Sequence, residues 1–226
     1  MNAARAVEVL SPDPRWNASI AEWLAGIFAA APTADTVISY RGRMGATLFA
    51  SLAQDATRVA GARRMQSALD IEAPAAVLAP ELAAAFTHLF DGVGGGKTVP
   101  PYESAHVGAS GRLFQAPTDA MEKLLRRSDL STDEAFREPS DHLSIELALL
   151  ARLIRHDSDH ETQAALLDDH LLVWVPRFAD RCRAYDRTGF YAGAAQVLVA
   201  FLIAHRASLP HWSNQQRTGV TPCRSD

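Results

Sequence analysis

The sequence predicts an all-α protein, a single-domain bundle of about eight or nine helices with a long central loop rich in glycine and proline. Alanine and leucine dominate its 226 residues, and apolar side chains recur every three or four positions. Clusters of β-branched residues are rare, and no pair of strands joined by a hairpin turn is evident. No segment repeats at a fixed period. These observations favour helices along the whole chain.

Four helical regions are predicted in the first part of the chain. The first runs from Asn17 to Ala30, with its apolar residues on one face, and ends before Pro32. The others run from Asp35 to Leu52 with a kink or break at Gly42 and Gly45, from Arg58 to Leu69, and from Pro80 to Phe90, where Gly92 favours a stop.

Residues 91–110 break the helical pattern, and a connection of this length within a domain is often functional. Five more helices are predicted after this loop. The first starts at Pro117, the second runs from Pro139 to about Arg155, and the third follows a capping box from Ser158 to Glu161. The fourth runs from Arg177 to Ala184, beyond a break at Pro176, and the last follows a cap at Thr188. We assign residues 1–210 to one domain, with a loop or hinge at about 91–110, and residues 211–226 to a polar tail.

The composition is that of an ordinary soluble globular protein, with 48% hydrophobic and 21% charged residues. A net charge of -4 argues against a nucleic-acid partner, which requires a concentrated basic surface. Cys182 and Cys223 lie far apart, as in proteins of a reducing compartment. The longest apolar run, Ala194 to Ala204, is shorter than the roughly 20 residues that span a membrane. We expect a cytoplasmic protein with no export leader and no stable membrane insertion.

The run G-G-G-K-T at Gly94 to Thr98 is similar to part of a phosphate-binding loop, in which backbone N–H groups bind phosphates. The position of the first glycine holds Asp91, however, and the preceding element is predicted to be a helix. The prolines that follow prevent a helix from starting at Lys97. The run is more typical of a hinge, and a nucleotide (GTP) hydrolase stays open as an alternative.

No other pattern indicates catalysis or a resident cofactor. His156 and His160 have the spacing of metal ligands on a helix, but Ser158 between them starts a new helix. No G-x-S-x-G nucleophile motif is present. We therefore predict no catalytic residue, no metal ligand and no cofactor.

Two motifs remain, P-P-Y-E-S at Pro100 to Ser104 and E-P-S-D-H at Glu138 to His142. In this order they resemble the TorD/DmsD family of redox-enzyme maturation chaperones, whose signature is E-P-x-D-H before an apolar helix. F-T-H-L-F-D-G at residues 86–92 and H-L-L-V-W-V-P-R-F at residues 170–178 resemble further family segments. The likeness spans about residues 86–202, and the earlier residues match only in helical character.

The resemblance implies a cytoplasmic chaperone that is not an enzyme. Such a protein binds the twin-arginine signal peptide of a molybdopterin-dependent oxidoreductase and retains the precursor until its cofactor is inserted. The peptide-binding residues implied by the matching positions are Asp141, His142, Pro139, Leu89, Phe90, Tyr102 and Glu103.

A cationic and then apolar leader requires an apolar groove with acids at one end. We expect the groove to be lined by Phe86, Leu89, Phe90 and Trp174, and the arginines to meet Glu103, Glu138 and Asp141. Changing Asp141 or His142 is then expected to weaken leader binding with little effect on the melting temperature. An assembly factor that binds the mature catalytic subunit is a second alternative, and the protein is expected to be a monomer or a homodimer.

Overall fold

The computed structural model describes residues 13–107, 116–127, 138–156 and 160–210. Within these ranges the regular structure is helical, which confirms the predicted all-α class. The helices are α1 (Pro14–Ala29), α2 (Ala34–Arg41), α3 (Arg43–Ala53), α4 (Val59–Leu69), α5 (Ala75–Phe90), α6 (Glu103–His106), α7 (Ala116–Arg127), α8 (Leu143–His156), α9 (His160–Leu166), α10 (Leu172–Tyr185) and α11 (Phe190–Ser208).

The first helices follow the sequence prediction closely. α1 begins at Pro14, because proline suits the first turn and the Asp13 carboxylate accepts the Arg15 N–H at 2.9 Å. The predicted interruption of the second region is confirmed, since α2 ends at Arg41 and α3 starts after Gly42. A side chain at Gly45 would lie 1.9 Å from the Tyr40 carbonyl oxygen, so glycine is required at this close turn.

Prolines affect the helices less than the sequence suggested. α5 starts at Ala75 and continues through Pro80, which was predicted to be its first residue. The predicted break at Pro176 is wrong, because α10 runs through this residue. Both prolines lie inside their helices, where each removes one backbone donor without ending the helix. The interruption lies earlier, in the π-helical turn Leu167–Leu171 between α9 and α10.

The last helix confirms its predicted cap. The Thr188 hydroxyl accepts the Phe190 N–H at 3.2 Å, and the Asp186 carboxylate accepts the Ala192 N–H at 2.8 Å. By length and composition α11 is apolar enough to cross a membrane, but 61% of this apolar stretch is buried inside the fold. Its apolar surface therefore serves the protein core. The predicted cap at Ser158 and the tail after Pro210, with Cys223, lie outside the described residues.

The core is formed where α1 packs along α8, and α4 and α10 pack along α11. Aromatic rings fill its centre, with Phe28 and Phe178 in edge-to-face contact at 5.5 Å and Phe90 stacked on Phe178 at 5.9 Å. Buried aromatic residues contribute large apolar areas and such ring contacts add to the stability. Cys182 is a buried free thiol in α10.

Two glycines set the distance between α4 and α11. A side chain at Gly193 would lie 2.7 Å from the Gly61 carbonyl oxygen, whereas a side chain at Gly26 in α1 would meet no atom within 4 Å. We predict that Gly193→Ala destabilises the protein by about 1–3 kcal/mol because the helices must separate. Gly26→Ala is the matched control and should raise stability by about 0.5–1 kcal/mol. Urea denaturation of both variants measures the difference; equal stabilities would contradict the close packing.

Candidate functional site

The two motifs singled out in the sequence meet in the structure. Tyr102 and His142 form an antiparallel β-bridge. The Glu103 N–H donates to the Asp141 carbonyl oxygen at 3.0 Å, and the Leu143 N–H donates to the Pro101 carbonyl oxygen at 2.8 Å. The P-P-Y-E-S segment is therefore held against the start of α8 by backbone hydrogen bonds.

This bridge changes where α8 begins. The sequence predicted a start at Pro139, but the helix starts at Leu143, and the His142 N–H donates to the Pro139 carbonyl oxygen at 2.9 Å within a turn. His142 caps the helix, because its Nδ1 accepts the Ser144 N–H at 3.2 Å. Glu138 and Asp141 are therefore not in the first turn of α8. Both lie before the helix.

Asp141 is the polar centre of the junction between the P-P-Y-E-S segment and the start of α8, and the residue is fully buried. One carboxylate oxygen accepts the Ser104 N–H at 2.9 Å, and the other accepts the Thr118 hydroxyl at 2.8 Å. Asp141 thereby caps α6 and attaches α7 to the segment before α8. Hydrogen bonds to a charged acceptor are the stronger kind, and here they offset the cost of burying the carboxylate.

His142 is buried beside Asp141. The Ser144 hydroxyl lies 2.7 Å from its Nδ1, and its ring meets the Tyr102 ring edge to face at 4.9 Å. Burial lowers the pKa of His142 from 6.5 to about 4, against smaller opposing effects of Glu138 and Asp141. The imidazole is therefore neutral at neutral pH. The stability that it contributes is complete above pH 6.5 and is lost as the pH falls toward 4.

Tyr102 and Glu138 form the part of the junction that reaches the protein surface. The Tyr102 hydroxyl donates to the Glu138 carboxylate at 2.6 Å, and Glu138 is exposed while Tyr102 is half-buried. Burial, and after it the hydrogen bond to Glu138, raises the pKa of Tyr102 well above its usual value, with further contributions from Asp91 and Asp141. Asp91 is exposed as well, so two surface acids act on the Tyr102 hydroxyl.

A second acidic group lies deeper, behind the same motif. Glu103 is 3% exposed, and its carboxylate contacts His170 Nδ1 at 2.7 Å. Glu146 in α8 is fully buried and accepts the Trp174 indole N–H at 3.3 Å. Burial, followed by the proximity of Glu103, raises the pKa of Glu146 well above its usual value. The π-helical turn supplies His170 to this group.

The apolar residues expected to line a groove are in the core. Phe86, Phe90 and Trp174 are buried, with Phe86 and Tyr191 in ring contact at 5.9 Å. Leu89 is buried too, but it borders a cavity of about 290 Å³ between α5 and the turn before α11. Leu89 therefore lies beside an opening.

Sequence reasoning missed several residues of the junction, namely Thr118, Ser144, Glu146 and His170. Thr118 and His170 come from distant segments, and no spacing in the sequence indicates that they meet the motifs. Glu146 gave a signal that could have been used, because it is an acid within the apolar run L-S-I-E-L-A-L-L. An acid in an otherwise buried helix face is a candidate for a perturbed pKa.

The glycine-rich run lacks the geometry of a phosphate-binding loop. Gly95–Lys97 form a single 3₁₀ turn after α5, and the Thr98 carbonyl oxygen accepts a hydrogen bond from Arg181 at 2.6 Å. Neither a strand before the run nor a helix starting at Lys97 occurs in this described segment. His156 and His160 belong to separate helices, and no cluster of potential metal ligands occurs among the described residues.

Comparison with known proteins agrees with the fold and the motifs. A family model described as nitrate reductase delta subunit matches residues 52–180, more than half of the chain. The Chaperone protein TorD of Vibrio parahaemolyticus is 36% identical over 54% of this chain and 60% of its own length. The Chaperone protein TorD of Photobacterium profundum is 29% identical over 81% of this chain and 89% of its own length.

These matches define a class of all-α chaperone-like proteins. The chain belongs to the nitrate reductase delta subunit family and, within it, to the TorD-like proteins. The resemblance inferred from the motifs is thereby confirmed. The match to the Vibrio parahaemolyticus relative covers less than two thirds of that relative's length.

The burial of Asp141 leads to a prediction that differs from the expectation drawn from the sequence. Asp141→Ala leaves the Ser104 N–H and the Thr118 hydroxyl buried without an acceptor, so we predict a loss of about 2–5 kcal/mol of unfolding free energy. Asp180→Ala, at an exposed site in α10, is the control and should change stability by less than about 0.5 kcal/mol. Chemical denaturation compares them, and an unchanged midpoint for Asp141→Ala would show that Asp141 does not hold the junction.

Proposed function

We propose that this protein is a cytoplasmic chaperone that binds the twin-arginine signal peptide of a molybdopterin-dependent oxidoreductase. It then assists maturation and cofactor insertion of that precursor before export. The observation that carries the proposal is the joining of the P-P-Y-E-S and E-P-S-D-H segments into one unit with Tyr102 and Glu138 at its surface. Relatives named as chaperones over much of the chain support it.

The surface of the junction suits a cationic peptide. Glu138 and Asp91 are exposed and both act electrostatically on Tyr102, and a guanidinium group can donate paired hydrogen bonds to a carboxylate. Asp141 and Glu103 are buried and already accept hydrogen bonds from protein groups. We therefore assign them, with His142 and Pro139, to the support of the binding surface, and the direct contacts with arginine to Glu138 and Asp91.

The end of α5 suits the apolar part of the same peptide. The exposed lining of the cavity beside Leu89 is mainly apolar, and Ala84, Ala85 and His88 of α5 contribute to it. Charged residues also line this cavity, namely Glu81, Asp186 and Arg187. Val93, just beyond the helix, is 71% exposed. α5 ends at Phe90 and Asp91 follows it directly, so this acid and these apolar side chains belong to adjoining parts of the chain. A twin-arginine leader has the same order, because its two arginines are followed by an apolar segment.

The proposal assigns no catalytic residue and no cofactor to this chain. Its partner is the precursor of a molybdoenzyme catalytic subunit, and the chaperone acts as a monomer or a homodimer.

Isothermal titration with a synthetic twin-arginine leader tests the proposed binding. We predict saturable binding that weakens at least about tenfold when both arginines are changed to alanine, because each charge-assisted hydrogen bond contributes roughly 1.5–3 kcal/mol. Glu138→Gln should weaken binding by a similar factor. Glu161→Gln, at an exposed position in α9, is the matched control and should leave the affinity unchanged.

Two results would contradict the proposal. If several leaders fail to bind while the mature catalytic subunit without its leader does bind, the protein is an assembly factor for the mature subunit. If the protein hydrolyses GTP and Lys97→Ala abolishes the hydrolysis, the glycine-rich run is a nucleotide-binding loop despite its geometry.

A further inference from the structure

Glu146 is an acid in the apolar interior, one turn into α8. Its residue surface is fully buried, and one carboxyl oxygen accepts the Trp174 indole N–H at 3.3 Å. The other oxygen, Oε1, is buried and accepts no hydrogen bond from a protein donor in the described residues. A buried carboxyl oxygen without a hydrogen-bond donor costs free energy, so the site needs one more donor hydrogen.

The nearest candidate for a partner is another acid. His170 contacts the Glu103 carboxylate, and Trp174, four residues later, donates to the Glu146 carboxylate, so the two acids are neighbours. Glu103 is 3% exposed. Two carboxylates are both acceptors, so a hydrogen bond between them exists only if one of them carries a proton. Like-charged carboxyl groups at this distance do not both ionise in a buried site.

Glu146 has acidic neighbours. The charged groups that act on it are Glu103 from α6 and Asp141 from the segment before α8, and both are acidic. α10 contributes the neutral Trp174 indole. The π-helical turn contributes His170, which contacts the carboxylate of Glu103 at 2.7 Å.

We propose that Glu103 and Glu146 share one proton at neutral pH, and that this proton holds the P-P-Y-E-S segment against α8. It fills the unpartnered position at Oε1 of Glu146, while His170 and the Trp174 indole bind the outer oxygens of the pair. The hydrogen bond joins the two motifs a second time, behind the backbone bridge of Tyr102 and His142.

Loss of the shared proton leaves two buried negative charges side by side. The element that can move to separate them is α6, because it has only four residues, Glu103–His106. Its departure would break the bonds from Glu103 and Ser104 to Asp141 and displace Tyr102 from Glu138. The surface that presents Tyr102 is therefore linked to pH.

A route for the proton to solvent is present. His170 lines a cavity of about 270 Å³ between α7 and the π-helical turn, together with Lys123, Arg127 and Asp169. His170 therefore lies between Glu103 and this cavity.

The direction of the pH dependence follows from the raised pKa of Glu146, which has burial as its main cause and Glu103 as the second. The contribution of the shared proton to stability is complete below the usual carboxyl range and is lost as the pH rises through the raised value. Between the usual carboxyl range and that value we expect the melting temperature to fall by about 3 °C per pH unit relative to Glu146→Gln, and above it the difference should stay constant. The amide introduced by Glu146→Gln supplies an N–H donor in place of the shared proton, and this donor does not titrate.

Thermal denaturation between neutral and alkaline pH compares wild type, Glu146→Gln and the control Glu161→Gln. As the pH rises, the melting temperatures of wild type and the control should fall by the same amount relative to that of Glu146→Gln. If the melting temperature depends on pH in the same way for all three proteins, the proposal is overturned.

Infrared spectroscopy of the wild type in D₂O is the second measurement, and it does not depend on a variant folding. At neutral pH we expect one carboxylic acid C=O band, because exposed acids are ionised there. Wild type without this band at neutral pH would also overturn the proposal. Neither measurement uses a leader peptide, so the outcome is separate from that of the proposed function.

Discussion

The buried carboxylate of Asp141 is the interaction on which the rest of the site depends. It accepts hydrogen bonds from Ser104 and Thr118, which lie before and after a stretch outside the described residues. Through these bonds α6, α7 and the start of α8 are positioned together. The cost of burying a charge is offset because both oxygens have donors, and the backbone bridge of Tyr102 and His142 fixes the same junction.

The acids of the site divide into two groups by burial. Asp141, Glu103 and Glu146 face the interior and hold helices together, whereas Glu138 and Asp91 face solvent beside Tyr102. An interior acid gives a fixed geometry, and a surface acid gives a charge that a partner can reach. The proposed recognition of a cationic leader uses the second group and relies on the first for its shape.

Helix positions could be predicted from the sequence because apolar spacing and caps are local properties. Arg58 to Leu69 agrees with α4 to within one residue, and Thr188 caps α11 as expected. The start of α8 could not be predicted, because Pro139 to His142 are held in a turn by a bridge to a segment far away in the chain. The π-helical turn before α10 likewise has no local signature in the sequence.

The motifs identified the place of the site but not the direction of its side chains. Helical spacing put Phe86 and Phe90 on one face, yet only packing shows that this face meets Tyr191 and Phe178 in the core. The pair Asp141 and His142 had the polarity of a surface rim, and the structure turns both inward. Their partners Thr118 and Ser144 make that possible, and Thr118 is distant in sequence.

Native-state hydrogen exchange at the Ser104 amide tests the central claim most directly, since this N–H donates to the buried Asp141 carboxylate. If Asp141 holds the junction, the Ser104 amide should exchange within about tenfold of the slow amides of α8, because both open in the same cooperative unit. Exchange as fast as that of an unstructured peptide would contradict the claim, and would mean that the P-P-Y-E-S segment is not held against α8.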